Sequence, residues 1–299
     1  MDYDLILIRY GELSLKSKYV RNRFESILIG NIKNVFRKED ISCNIKREWG
    51  RIYLFCDEIS KSLDILSKIF GITSFSPVIK SEAEIKQIEK TALKISKEFL
   101  TKDKTFAVRA IRTGNHNFSS QDIQIKIGKI IENQIDSKVN LLQPDFELFI
   151  EVRDNNSYLF TDKYYGPGGL PFGTQGKVLS IIDNANSLLA SWFLMKRGCN
   201  IDFVITNQDF KGVLNSFLDN WYISANIHLI DIHEDLSNVI LKNNYDAVTT
   251  GTSLYNDSRD VISEINNLKQ SISIPVLHPL IAFNEVEIET KCKEIGLLA

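Results

Sequence analysis

Hydrophobic and polar positions change rhythm twice along the chain. Tyr3–Arg9 is a short apolar run that predicts a strand, and Phe24, Ile27, Leu28 and Ile32 then recur at helical spacing to about Phe36. Ile41–Lys46 and Arg51–Cys56 flank Glu48-Trp49-Gly50 and predict a hairpin, followed by a helix over about 60–69. This β-α-β-β-α order fits a small ferredoxin-like α+β unit.

A second α+β unit starts near Phe75. The pattern predicts a helix over about 82–100 and a strand over Thr105–Arg112, with Phe106, Val108 and Ala110 on one face and Arg109 on the other. A loop, Thr113–Phe118, leads to Ser119 with Asp122 three residues on, a capping-box start. The helix it opens carries Ile123, Ile127, Ile130 and Ile131 on one stripe, with Lys126 and Lys129 off it. Phe146–Arg153 alternates, with Phe146, Leu148, Ile150 and Val152 facing inward, and Ser157–Thr161 is its expected hairpin partner.

Beyond a glycine- and proline-rich stretch the rhythm becomes repeated β-α units. Strands are predicted at 177–182, 201–206, 227–232, 245–250 and 274–277, and helices at about 187–197, 211–221, 234–243, 258–269 and 284–295. Gly198 and Gly296 are placed to end helices, and Asn284 with Glu287 to cap one. Short apolar strands separated by helices predict a doubly wound, mostly parallel sheet. Ligands bind such sheets at the carboxyl ends of the strands, which singles out the turn after Ile182 and the loop Thr249–Ser253. The expected organisation is 1–70, 71–165, a linker at 166–176, and 177–299.

Composition narrows the function classes. The 299 residues suit about two domains of ordinary size, and 43% hydrophobic with 25% charged residues is normal for a soluble globular chain. No apolar run approaches the ~20 residues of a membrane span, and the start lacks a signal-peptide pattern; a cytoplasmic location is expected. Residues 1–170 hold 27 Lys/Arg and 23 Asp/Glu, a net +4, and residues 171–299 hold 9 and 15, a net −6. Nucleic-acid contact is therefore expected in the front half. Cys43, Cys56, Cys199 and Cys292 are too far apart for a metal knuckle or a redox pair. His228 and His233, five apart across a strand end, point to opposite faces, and no metal site is expected.

Several segments carry a resemblance. Tyr3–Lys18, Phe106–Ser120, Pro144–Phe160, Gly166–Leu179, Ser187–Cys199, Thr250–Leu254 and Pro275–Ile288 together resemble the tRNA 4-thiouridine synthetase (tRNA sulfurtransferase, ThiI-like) family. The match runs in the family's order along nearly the whole chain. It implies a ferredoxin-like domain, then a THUMP RNA-binding domain, then a PP-loop ATP-pyrophosphatase-like domain of the adenine nucleotide hydrolase type. Such enzymes adenylate uridine 8 of tRNA with ATP and then deliver sulfur from a cysteine persulfide.

Residue by residue, the implied chemistry is depleted. The family's PP-loop pattern Ser-Gly-Gly-x-Asp-Ser falls on Ile182, Asp183, Asn184, Ala185, Asn186 and Ser187, so only the last serine is kept. With Ile181 before it and Gly251 opposite, this is the remnant nucleotide site. Aspartate for glycine adds both bulk and a charge facing a polyphosphate: about 4 kcal/mol for unit charges ~4 Å apart at an effective dielectric of ~20, or roughly a thousandfold in affinity. Asn186 cannot carry the charge expected to hold magnesium. The stretch matching a second nucleotide segment, Tyr255–Val261, is more acidic and bulkier, and 227–247 lacks the cysteine a persulfide carrier needs. No catalytic residue is assigned and no cofactor is expected; ATP and Mg belong to the alternative of an active enzyme.

The RNA-binding implication has better support. Arg9, Lys16, Lys18, Arg21, Arg23, Arg109, Arg112, Lys126 and Lys129 are the candidate phosphate contacts. His116 and Phe118 either stack on a base or, for Phe118, staple the helix start. The leading expectation is a tRNA-binding family member that has lost ATP and sulfur chemistry, serving as a tRNA chaperone or supporting a separate modification enzyme. The alternatives are an active, divergent sulfurtransferase making 4-thiouridine at position 8, and a structural or homodimerising protein with neither activity.

Overall fold

A computed structural model describes residues 1–205, 208–230, 236–255 and 260–298. In chain order its elements are β1 (Leu5–Arg9), α1 (Lys18–Lys38), β2 (Cys43–Glu48), β3 (Arg51–Cys56), α2 (Ile59–Leu66), β4 (Ser74–Glu82), α3 (Ile85–Phe99), β5 (Thr105–Thr113), α4 (Ser120–Ile135), β6 (Lys138–Val139), β7 (Phe146–Arg153), β8 (Asn156–Phe160) and β9 (Tyr164–Tyr165). They continue as β10 (Lys177–Ile182), α5 (Ala185–Lys196), β11 (Asn200–Ile205), α6 (Phe210–Asn220), β12 (Ile227–Leu229), α7 (Leu236–Asn243), β13 (Ala247–Thr249), α8 (Val261–Ser271), β14 (Val276–Leu277) and α9 (Glu285–Glu294). The chain divides into a first unit of residues 1–9, 41–63 and 74–165, and a second of 10–40, 64–73 and 166–299.

The first unit is built on one sheet in the order β2-β3-β1-β4-β8-β7-β5-β6, with β9 on β4. The longest of its unanticipated elements is β4. Residues Ser74–Val78 pair antiparallel with β1, and Ile79–Glu82 pair antiparallel with β8, so one strand joins the two predicted α+β halves into a continuous sheet. Pro77 inside the run argues against a central strand on sequence grounds, because it cannot donate to a ladder. Here it stands opposite Ile6 and is tolerated. Ile88, Ala92 and Ile95 of α3 and Ile123, Ile127 and Ile131 of α4 pack on Phe106, Val108, Leu148, Ile150 and Val152. Ile130, placed on that stripe from sequence, is only half-buried. The α4 capping box forms as expected: Asp122 N donates to Ser119 Oγ at 3.1 Å, and Asp122 Oδ2 accepts from Ser119 N at 2.8 Å.

The second unit contains a five-stranded parallel sheet, β12-β11-β10-β13-β14. Both faces are covered. Val178 and Ile182 join a cluster with Leu188, Leu189 and Trp192 of α5, Phe217 of α6 and Ile288 of α9. Leu179, between them, joins Val204, Val248, Ile240 of α7 and Ile272. This two-sided burial is why the strands read as continuous apolar runs. Gly198 (φ +89°) and Gly296 (φ +72°) end α5 and α9 as anticipated.

At the amino-terminal edge of this sheet, Asp202 is buried and accepts from Asn226 N (2.8 Å), Tyr245 Oη (2.9 Å) and Lys177 Nζ (3.0 Å). Burial pushes its carboxyl up, but the hydrogen bonds from Asn226, Lys177 and Tyr245 together outweigh that and hold it below the usual range. Asp202→Asn should cost about 2 kcal/mol near neutral pH, measured by urea unfolding. Because the folded-state value is depressed, the carboxylate's contribution is present above the unfolded value of ~3.9 and is lost as pH falls through the folded value. The gap between variant and wild type should therefore narrow below about pH 4; a gap constant down to acid would refute the assignment.

Candidate functional site

The strand order of the second unit reverses at β10, with β11 and β12 on one side and β13 and β14 on the other. A crevice at the carboxyl ends of the strands is the ligand position of such sheets. The candidate nucleotide residues converge there. Ile181 and Ile182 end β10 beside Val204 and Ile205, and Asp183 to Ser187 make the turn and the first residues of α5. Gly251 lies against them: a Cβ at this position would come within 2.6 Å of Asn186 C and 2.8 Å of Ser187 Cα. Only glycine permits so close an approach.

The turn satisfies its own donors. Asn184 caps α5, its Oδ1 accepting from Asn186 N at 2.8 Å and Ser187 N at 3.2 Å. Asp183 N and Asn184 N each reach Ser187 Oγ at 3.3 Å, and that hydroxyl donates to Asn184 O at 2.6 Å. These are the N–H groups that a helix start otherwise offers to an anion. Asp183 is exposed and has no ion pair among the described residues. Underneath, Ser191 Oγ bonds both Ser187 O and Ser180 Oγ at 2.7 Å, fastening the helix to its strand. On the β13 side, Thr250 Oγ1 lies 2.8 Å from both Thr252 Oγ1 and His278 Nδ1. Burial lowers the His278 pKa, favouring the neutral ring, and its Nε2 is buried without a partner. His233 and residues 256–259 of the acidic stretch lie outside the described residues.

The nine basic candidates fall into two groups: Arg9, Arg109, Arg112, Lys126 and Lys129 in the first unit, and Lys16, Lys18, Arg21 and Arg23 in the second. Arg9 is not the free surface cation its sequence position suggested. Its side chain is 12% exposed, pairs with Glu151 Oε2 at 3.4 Å, donates to Ser76 Oγ at 3.1 Å and lies 4.7 Å over the Phe160 ring. Glu151, 2% exposed, also takes Arg51 Nε at 2.6 Å and Arg153 Nη1 at 3.3 Å. Burial lowers the Arg9 pKa against the opposing pull of Glu151. Three guanidinium groups on one carboxylate leave a net charge of +2.

Beside this cluster opens a cleft of about 410 Å³ lined by Arg9, Arg51, Arg109, Lys163, Phe149 and Phe160. The two phenylalanine rings stack at 5.1 Å and 9°. Arg109 is partly exposed, held by Glu147 at 2.8 Å and Leu141 O at 2.7 Å. Arg112 instead braces its own loop, donating to Gly114 O at 2.7 Å and lying 3.3 Å from His116 Nδ1. The base-stacking option for Phe118 fails, since it is buried with Ile123 as the staple of α4, and His116 Nε2 is engaged by Asp154 O at 2.6 Å. Lys126, Lys129, Lys16, Lys18 and Arg23 are exposed, while Arg21 sits 3.8 Å from Glu25. Arg51, Arg153, Glu151 and Lys163 were not anticipated. The available signal is the off-face row Phe149, Glu151 and Arg153 of β7, to which the pattern alone gives no role.

Comparison with known proteins places this geometry in a lineage. Residues 5–76 match the ThiI ferredoxin-like domain, 82–162 the THUMP domain, and 231–299 the thiamine biosynthesis protein (ThiI) family. A protein of Methanothermobacter thermautotrophicus named probable tRNA sulfurtransferase is 32% identical, over 99% of this chain and 85% of its own length. One of the same name from Saccharolobus islandicus is 32% identical over 98% and 86%. A crystal structure of a Pyrococcus horikoshii protein superposes with a TM-score of 0.86 at 30% identity, covering 98% of this chain and 99% of that one. A 4-thiouridine synthetase–RNA complex with bound ATP gives 0.80 at 25% identity, covering 99% and 85%. With its ferredoxin-like, THUMP and parallel-sheet parts in this order, the chain belongs to the tRNA sulfurtransferase (ThiI) family.

Proposed function

We propose that the chain binds tRNA, with the main cleft in its first unit, and has lost ATP and sulfur-transfer chemistry. The cleft beside the Glu151-centred arginines carries the RNA half of this reading. Guanidinium groups there exceed the carboxylate that positions them, and the half-buried ring of Phe149 lines the same opening, a combination that suits phosphates with an unpaired base beside them. The family's relatives, named for action on tRNA, support the same partner. Exposed Lys126 and Lys129, with Lys16, Lys18 and Arg23, add phosphate contacts without sequence information. In this reading 1–70 and 71–165 grip the RNA, 166–176 links them to 177–299, and the protein works in the cytoplasm, as a monomer or homodimer, beside a separate modification enzyme.

The residues after β10 do not fit Mg-ATP. Their four N–H groups are turned onto Asn184 and Ser187, and the Asp183 carboxylate has no cation beside it among the described residues. Filter binding of purified chain to bulk tRNA should show log affinity falling with log salt at a slope of about −4, from about five phosphate contacts. Absence of binding at low salt would end this reading. A second reading, an active sulfurtransferase, draws on the near-complete alignment to tRNA sulfurtransferases and on the retained close approach at Gly251. Pyrophosphate released from ATP only in the presence of tRNA would establish it instead.

A further inference from the structure

A cleft in the second unit, remote in sequence from the α5 turn, combines features that ordinary packing does not require. It is lined by Asn31, Asn34 and Lys38 of α1, by Lys68, and by Trp221 and Tyr222 at the end of α6, around about 140 Å³. Asn31, Asn34 and Lys38 follow one another at spacings of three and four, so a single stripe of α1 faces the cleft with polar groups.

Tyr222 occupies an unfavourable backbone position. The end of α6 is a Schellman motif, with Tyr222 N donating to Asp219 O at 3.2 Å and Ile223 N to Leu218 O at 2.9 Å. The same bond pattern ends α5 and α9, where the left-handed residue is Gly198 or Gly296, as the motif prefers. Here it is tyrosine at φ +55°, a conformation that clashes with any Cβ. Such strain at the mouth of a cavity points toward function. It sets the phenol ring in the cleft, 6.0 Å from Lys68 Nζ. Burial, and then Glu39, raise the hydroxyl's pKa, with Asp64 adding to the effect, so the ring stays neutral.

The remaining groups supply charge and hydrogen bonds. Lys38 Nζ donates to Ser224 Oγ at 2.9 Å and Lys68 Nζ to Asn220 Oδ1 at 2.8 Å. Both partners are neutral, and neither lysine has a carboxylate partner among the described residues. Asn31 spends one amide N–H on Phe172 O at 3.0 Å; Asn34 has no hydrogen bond among the described residues. Trp221, 8% exposed, keeps its indole Nε1 buried without an acceptor.

We propose that this cleft binds a nucleoside monophosphate unit. Tyr222 stacks on the base, the Asn31 and Asn34 amides meet its donor–acceptor edge as amides do elsewhere, and Lys38 and Lys68 hold the phosphate. The unit is either free or part of an RNA chain. This site is separate from the turn after β10 and does not depend on the tRNA-binding reading.

Calorimetry of the full chain with AMP, CMP, GMP and UMP at about 50 mM salt tests it. At least one should bind with a Kd of about 1 mM or tighter, and inorganic phosphate about tenfold more weakly. Tyr222→Gly places the residue the motif prefers, so the variant should melt at or above the wild-type temperature while losing affinity about tenfold; Lys68→Met should lose as much. No binding by any monophosphate, or wild-type affinity in Tyr222→Gly, would overturn the proposal. If tRNA displaces the bound monophosphate, the unit belongs to RNA; if both bind together, it is a free nucleotide. A chain that binds monophosphates but no tRNA would sink only the tRNA reading.

Discussion

Glu151→Ala should destabilise the first unit by about 3–5 kcal/mol, the cost of breaking a buried ion cluster from one side. The wild-type carboxylate is 2% exposed and neutralises part of the charge on Arg9, Arg51 and Arg153, which come from three strands of one sheet. Without it, Arg9 at 12% and Arg153 at 9% exposure lose their shared anion while remaining largely out of water. Arg153 Nη2 keeps Trp49 O and Arg9 Nη1 keeps Ser76 Oγ, but neutral acceptors do not offset repulsion among three cations. Arg51→Met removes one cation from an overcharged cluster and should cost about 1 kcal/mol or less. Because two units need not unfold together, the readout should be local: hydrogen exchange of the β1, β3 and β7 amides. A loss below about 1 kcal/mol for Glu151→Ala would show that water or rearranged arginines replace the carboxylate without cost.

That cluster also marks what the sequence could not disclose. Elements whose cause is local were legible: the Ser119–Asp122 and Asn284–Glu287 caps, the helix-ending glycines, and the alternation of strand and helix along the second unit, all set by neighbours a few residues away. β4 was missed because Pro77 interrupts its pattern and its two partners, β1 and β8, are distant in sequence. Arg9 and Glu151 are 142 residues apart, so nothing near either reveals that one buries the other. The setting of Arg112 escaped for the opposite reason: its partners, Gly114 and His116, are adjacent, but a side chain folding back on its own loop looks like a free cation in a linear reading. At the α5 turn the charge of Asp183 was plain, whereas the role of Asn184 was visible and passed over. An asparagine just before a helical run, four residues ahead of its first N–H bonded within the helix, is a cap signal as well as a lost glycine.

These two residues act differently, so under the proposed loss of nucleotide binding the turn is open to repair. Asp183→Gly with Asn184→Gly should raise affinity for Mg-ATP by about a thousandfold. Removing the carboxylate relieves roughly 4 kcal/mol of repulsion toward a phosphate ~4 Å away, and removing the Asn184 amide frees Asn186 N and Ser187 N to face the ligand. Glycine at the cap costs the helix only a few tenths of a kcal/mol, and the serine pair under α5 still fastens it to β10. Calorimetry separates the contributions. Asp183→Asn reports charge alone, Asn184→Gly reports the freed donors alone, and their sum should fall short of the double variant, because a phosphate needs both an open cradle and an absent anion. Micromolar binding of Mg-ATP by the unaltered chain would overturn the account and favour an active enzyme. A double variant no better than wild type would move the defect elsewhere in the crevice, to Asn186 in place of an acidic magnesium ligand or to the acidic stretch after Tyr255. If restored binding still gives no thiolated tRNA, the absence of a cysteine from 227–247 becomes a second, independent ground for the proposed loss.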